Sequence, residues 1–325
     1  MPKVYVNGNL VELDEAAIPA ADIGFLYGVG LFETMRCVRG RVFALEAHLD
    51  RLLASAAALR VACNLGREDL TEAIYRTLEA NGLSDARIRL TLSGGVQPQD
   101  RSEPTLVVTA APLEGCPAEH YDKGVRVALS DFRQNAEDPT AGHKTTNFFA
   151  RLLALQQAHA RGAAEALWFT HGGLLAEGCI SNVFLVKGGT LRTPRLQTPI
   201  MPGVARRHVL TLAGELDIAA AEEDLTIDDL LAAEEVFLTN VIMLVLPVVG
   251  IEAHTVGQGR PGPITRRLSQ RLREIIEGTD ETGNSSLLKK CHPGLDPGST
   301  LSVWYVSART AWIPARQGAS STFAG

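Results

Sequence analysis

Ala141-Gly142-His143-Lys144-Thr145-Thr146-Asn147-Phe148-Phe149 is a polar, glycine-bearing stretch that runs into an apolar helical pattern at Leu152, Leu153 and Leu155. Lys144 reads as the reactive residue. A lysine amine condenses with carbonyl compounds to give Schiff bases, and it needs a partly desolvated pocket to shed its proton near neutral pH. A lysine placed where a loop enters the core, ahead of a greasy helical face, meets that need. A lysine taken singly is ordinarily solvated, so the weight rests on its company.

That company is ordered along the chain. Upstream stand Tyr27-Gly28-Val29-Gly30-Leu31-Phe32-Glu33-Thr34-Met35-Arg36 and His48-Leu49-Asp50-Arg51-Leu52. Downstream come Ala176-Glu177-Gly178-Cys179-Ile180-Ser181-Asn182, then Pro202-Gly203-Val204-Ala205-Arg206, then Phe237-Leu238-Thr239-Asn240. From about residue 4 to about residue 276 this set resembles the class IV aminotransferases, the pyridoxal-phosphate enzymes of fold type IV. That family holds branched-chain aminotransferases, D-amino-acid aminotransferases and 4-amino-4-deoxychorismate lyases.

The resemblance implies an α+β fold of two domains, a small α/β N-terminal one and a larger, β-barrel-like C-terminal one with surrounding helices. It also implies pyridoxal 5′-phosphate as cofactor. Lys144 would anchor the cofactor and act as the catalytic base. Glu177, from E-G-x-x-S-N, would keep the ring nitrogen protonated, with Asn182 of the same motif beside it. Gly203, Val204 and Ala205 open a helix, whose free N–H groups and dipole suit a phosphate. The family usually has threonine where this chain has Ala205, so Thr239 and Asn240 at a strand end, together with Arg51 of the H-x-x-R-L motif, are expected to complete that site. Tyr27, Thr34, Arg89 and Asn240 are expected on the substrate side. His143 is the weaker rival base, because neighbours in sequence point apart.

Composition agrees with an enzyme acting on small molecules. At 325 residues there is room for two cores. A net charge of −6 argues against a nucleic-acid surface. Cys37, Cys63, Cys116, Cys179 and Cys291 are odd in number and scattered, which suits reduced thiols rather than disulfides or a metal site. No signal region and no apolar run long enough for a membrane span are evident, so a cytoplasmic protein is expected. The family relation further implies a homodimer, with the Tyr27 loop completing the partner's site.

Periodicity divides the chain into a small domain over 1–111, a linker over 112–124 rich in Pro and Gly, a cofactor-binding domain over 125–278 and a disordered tail over 279–325. In the first, Asn7-Gly8 and Arg39-Gly40 turn two hairpins, helices run over 48–59 and 68–80, and strands over 86–92 and 105–111. The second carries strands at 125–129, 166–170, 180–186, 190–193, 236–239 and 245–249, with helices after Lys144, from Val204, near 227–231 and over 264–276.

Three departures point away from the branched-chain branch. Its K-x-x-x-N-Y is here Lys144-Thr145-Thr146-Asn147-Phe148, its F-E-G-I-R is Phe32-Glu33-Thr34-Met35-Arg36, and its T-G-T is Thr239-Asn240-Val241. The R-x-H of the D-amino-acid branch is absent at Ser93-Gly94-Gly95. Thr34, Asn240 and Val245-Leu246-Pro247-Val248 agree with the lyases, so the sequence reading favours an aminodeoxychorismate lyase releasing 4-aminobenzoate and pyruvate for folate biosynthesis. A transaminase of branched-chain or D-amino acids is the alternative.

Overall fold

The computed structural model describes residues 1–96 and 103–278. The first strands, β1 (Lys3–Val6) and β2 (Asn9–Glu12), form the expected hairpin, with Asn7 and Gly8 both at positive φ. After a short helix α1 (Ile23–Tyr27) come β3 (Gly30–Val38) and β4 (Arg41–Val42), turned at Arg39 and Gly40. Helices α2 (Leu45–Leu59) and α3 (Arg67–Ala80) and strands β5 (Ala86–Val96) and β6 (Glu103–Pro112) complete an antiparallel sheet in the order β2-β1-β6-β5-β3-β4.

Alternation divides this sheet into two unlike faces. Leu31, Met35, Ile88, Leu90 and Val108 point to the core, where Leu49 and Leu52 of α2 and Leu70 and Ile74 of α3 cover them. The opposite face carries Phe32, Thr34 and Arg36 beside Thr91, Arg89 and Arg87, because the register pairs Phe32 with Thr91, Thr34 with Arg89 and Arg36 with Arg87. Glu33 has the parity of the core face. A charged residue there needs dedicated partners.

Next come helix α4 (Ala118–Lys123), β7 (Val125–Gln134), α5 (Phe149–Ala160), β8 (Glu165–Thr170), β9 (Leu175–Gly178), β10 (Asn182–Lys187) and β11 (Thr190–Pro194). The chain continues through α6 (Val204–Glu215), β12 (Ala220–Glu223), α7 (Ile227–Leu231), β13 (Glu235–Asn240), β14 (Leu244–Ile251), β15 (His254–Thr255) and α8 (Pro263–Glu277). These strands build a mixed sheet, β12-β11-β10-β13-β14-β7-β8-β9 with β15 added on β14, which curls into a half-barrel. Its pairs are parallel at β11/β12, β14/β7 and β7/β8. On one side α6 and α8 close over Phe184 and Phe237, whose rings stack 4.9 Å apart. Elsewhere small residues, Ala154 and Ala158, let α5 sit close on Ala128, Ala166 and Trp168.

Several elements depart from the sequence reading. The stretch expected to be a linker contains α4, pinned by the Tyr121 hydroxyl donating to the Met243 carbonyl at 2.8 Å. The helix after Lys144 begins only at Phe149, leaving the lysine in an extended segment. Short elements without a full period, α1, β9, β12 and β15, are not readable from pattern. The expected tail at 279–325 lies outside the described residues. Among the described residues no helix is long and apolar enough to cross a membrane.

Candidate active site

Lys144 is fixed by main-chain pairing of its segment with β3. The Phe32 N–H donates to the Lys144 carbonyl at 2.9 Å, the Thr146 N–H donates to the Gly30 carbonyl at 2.9 Å, and Thr145 bridges to Leu31. The Thr146 hydroxyl donates to the Gly28 carbonyl at 2.8 Å, tying in the loop after Tyr27. His143 turns away, its Nδ1 2.9 Å from the Ser55 hydroxyl. The lysine amine stands 4.4 Å from the centre of the Phe32 ring. Burial pushes it down to about 8, with Arg51 and Arg89 acting in the same direction and Glu33 and Glu177 opposing them. The amine is thus poised to be a nucleophile or base close to neutral pH.

Glu177 lies near the end of β9, nearly fully buried, and its carboxylate oxygens are met by N–H donors. Arg151 of α5 donates to its Oε1 at 2.6 Å, while the Met201 N–H at 2.8 Å and the Asn182 side-chain amide at 3.3 Å reach Oε2. Asn182 also donates to the Met201 carbonyl at 2.9 Å, so one residue locks the carboxylate to the strap that leads into α6. A carboxylate held this way is suited to keep a proton on a heteroaromatic nitrogen.

That strap ends at Gly203, the N-cap of α6, where no side chain caps the helix. A Cβ at Gly203 would overlap Asn182 Oδ1, so only glycine fits. Val204 and Ala205 form the first turn and pack on Val241, two residues past Thr239. The Thr239 hydroxyl is buried with no partner. An uncapped helix N-terminus, an orphaned hydroxyl and a neighbouring guanidinium make a donor set for a phosphate. Ala205, where the resemblance led to threonine, contributes its backbone only.

The guanidinium belongs to Arg51, and its orientation is set by Glu33. Arg51 donates from Nε at 2.8 Å and Nη2 at 2.6 Å to the two Glu33 oxygens, leaving Nη1 to reach the Pro202 carbonyl at 3.0 Å beside the helix start. His48 Nδ1 lies 2.7 Å from Glu33 Oε2. Although burial acts against it, Arg51 and His48 draw the Glu33 carboxyl down to about 2. The sequence reading does not single out Glu33, His48 or Arg151. The available signal is an acidic residue at core parity in β3, followed by the His-x-x-Arg spacing that puts both side chains on one face of α2.

On the face of the first sheet opposite its core, the Arg89 guanidinium lies 3.5 Å from the centre of the Phe32 ring, with Nε donating to the Thr91 hydroxyl at 3.3 Å. Burial lowers it to about 10, and no carboxylate bonds it among the described residues. Thr34 shares this face, directly across from Arg89. Asn240 is placed differently. Its Oδ1 accepts from the Ile242 and Met243 N–H groups at 2.8 Å each and its amide donates to the Ile180 carbonyl at 3.1 Å, which makes it the builder of the β13–β14 turn. Tyr27, at the end of α1, is 75% exposed and stands outside the cluster.

The amino-transferase class IV family matches residues 30–251. The chain is a member of that family. It is 34% identical over 278 residues to a putative branched-chain-amino-acid aminotransferase of Methanocaldococcus jannaschii, covering 84% of this chain and 96% of the relative. A branched-chain amino acid aminotransferase from T.th., solved with pyridoxamine 5′-phosphate, matches with a TM-score of 0.81 at 28% identity, over 86% of this chain and 95% of that one. A putative 4-amino-4-deoxychorismate lyase from Legionella pneumophila matches with a TM-score of 0.72 at 25% identity, over 80% of this chain and 95% of that one.

The cofactor of this class IV enzyme is pyridoxal 5′-phosphate, and the residues present fit it. Lys144 would hold its carbonyl carbon, Glu177 its ring nitrogen, and Gly203, Val204, Ala205, Thr239 and Arg51 its phosphate. When bound, the cofactor supplies a carbonyl for the substrate amine and a protonated ring that withdraws electrons.

Proposed function

We propose that this class IV enzyme is a transaminase, moving an amino group between an amino acid and a 2-oxo acid that carries a carboxylate. The observation carrying this reading is Arg89, a half-buried guanidinium over the Phe32 ring, on the same ring as the Lys144 amine, with Glu33 acting on it from nearby and no carboxylate bonded to it among the described residues. A desolvated guanidinium beside a reactive amine is matched to a substrate carboxylate. Lys144 would take the proton from the carbon bearing the substrate amine and deliver it to the cofactor's carbonyl carbon on the far side of that nitrogen, and Glu177 would hold the compensating charge at the ring nitrogen. The similarity to branched-chain aminotransferases supports the same choice.

The lyase remains the second reading, supported by Thr34 on the open face and by the likeness to the Legionella protein. Asn240 supports it less, because its Oδ1 and one amide N–H are engaged by main-chain groups. Incubation with amino acids plus 2-oxoglutarate or pyruvate, and separately with aminodeoxychorismate, tests the two. New 2-oxo acid without 4-aminobenzoate supports the transaminase, and 4-aminobenzoate with pyruvate from the second mixture overturns it.

The working form is a homodimer in this reading, of chains with a small half over 1–111 and a cofactor-binding half over 125–278. Phe25, Tyr27 and Phe149 are about three-quarters exposed, and Leu26 and Leu152 about half, which is costly apolar surface for a lone chain. Sedimentation at assay concentration should give a dimer, and an active monomer would refute it.

A further inference from the structure

One buried acid near the site has no part in the chemistry above. Glu165 opens β8 and is 2% exposed. Its carboxyl fills the turn Gly178-Cys179-Ile180-Ser181 that leads from Glu177 into β10. The turn is closed by the Gly178 N–H donating to the Ser181 carbonyl at 2.8 Å. Into it, Glu165 Oε1 accepts from the Ile180 N–H at 2.7 Å and Oε2 from the Ser181 hydroxyl at 3.0 Å. A Cβ at Gly178 would overlap Glu165 Oε1 and the Ser181 hydroxyl. The sequence Glu177-Gly178-x-x-Ser181-Asn182 therefore serves two acids, with Asn182 turned to Glu177, and Gly178 and Ser181 shaped around Glu165.

Arg151 binds the same turn from outside, donating to the Gly178 carbonyl at 2.9 Å and to Glu177. Its guanidinium bonds Glu177 and not Glu165. Glu165 keeps only two neutral donors in a dry environment, and such a carboxyl resists ionisation. The groups facing it are Arg151 from α5, Glu177 from β9, Cys179 in the turn and Cys116 ahead of α4. Burial raises Cys179 to about 11 and also raises Cys116, so neither thiol ionises near neutrality.

We propose that Glu165 is a positioning residue for Glu177: its carboxyl, set into the Gly178–Ser181 turn, fixes how Glu177 faces the cofactor's ring nitrogen, and loss of its proton presses a second negative charge on that pair. This rests on the cofactor site and not on which reaction follows, so the test involves no turnover. Burial, reinforced by Glu177, raises Glu165 to about 7, which puts its proton loss in an accessible range.

The full chain, Glu165→Gln and Glu165→Ala are compared as apoproteins titrated with pyridoxal phosphate between about pH 5.5 and 9, following affinity and the absorption of the bound cofactor. Wild type is expected to show a step in that absorption near pH 7. Glu165→Gln, which can still accept from the Ile180 N–H, should bind at pH 6 within about threefold of wild type and lack the step. Glu165→Ala strands two buried donors and should bind at least about tenfold more weakly. The step persisting in Glu165→Gln would overturn the proposal. So would Glu165→Ala with wild-type affinity and spectrum.

Discussion

Replacing Glu33 with glutamine removes the charge that holds Arg51 and His48 while keeping the shape. Glu33 has 1% side-chain exposure, and its carboxyl lies far below the usual carboxylate range, at about 2 against 4.5. At 1.36 kcal/mol per tenfold, that difference corresponds to roughly 3 kcal/mol of folded-state stabilisation at neutral pH. The figure agrees with the ~3–5 kcal/mol found when one partner of a buried ion pair is removed. Because the folded value is depressed, this contribution is complete above about pH 4.5 and is lost as pH falls toward 2. For a chain of this size the thermal midpoint of the apoprotein should drop by about 6 °C or more at pH 7. The deficit should stay level down to about pH 4.5 and narrow only below it. Released from its clamp, Arg51 should also hold the phosphate less well, so affinity for pyridoxal phosphate falls in the same variant. A Glu33→Gln protein melting within a degree of wild type at pH 7 would refute the reasoning, as would a deficit that shrinks between pH 8 and 5.

Other outcomes follow from the same geometry. Capture of pyridoxal phosphate by the apoprotein should speed up as pH rises through about 8, where the Lys144 amine becomes neutral, and borohydride treatment followed by peptide mass analysis should place the adduct on Lys144. Thr239→Val should leave the apoprotein melting point unchanged or higher, since it removes an unpartnered buried hydroxyl, yet weaken cofactor binding by about 10–100-fold in a titration. Gly203→Ala should displace Asn182 from Met201 and Glu177, costing on the order of 1–3 kcal/mol in denaturant unfolding and lowering cofactor affinity with it.

Part of the candidate site was legible because the expected chemistry requires particular side chains at particular spacings. Lys144, Glu177, Asn182, Gly203 and Thr239 all belong to the candidate site described above, in the order read along the chain. Residues that only hold others in place are harder to see. Arg151 lies in the first turn of α5 and reads as a solvated arginine until β9 is laid beside it, a contact that depends on strand order. The turn-building role of the Asn240 side chain was hidden for a related reason. An asparagine at a strand end can face a ligand or cap the next two amides, and only the backbone path decides between them. Regular elements with a full period, such as α2, α3, α6 and α8, are readable, whereas five-residue α1 and four-residue β9 and β12 have too few positions to display one.

The pairing of Lys144 with Phe32 and of Thr146 with Gly30 joins segments more than a hundred residues apart in sequence. Closing so long a loop has an entropic cost that nearby contacts must already offset, which makes such pairings late events in folding. The reactive lysine is therefore set in place only after both sheets exist. A partly folded chain, or either half alone, presents the amine on an unpaired strand and offers the cofactor no preformed socket. Competence to bind it thus becomes a report on whether the whole of residues 30–146 has come together.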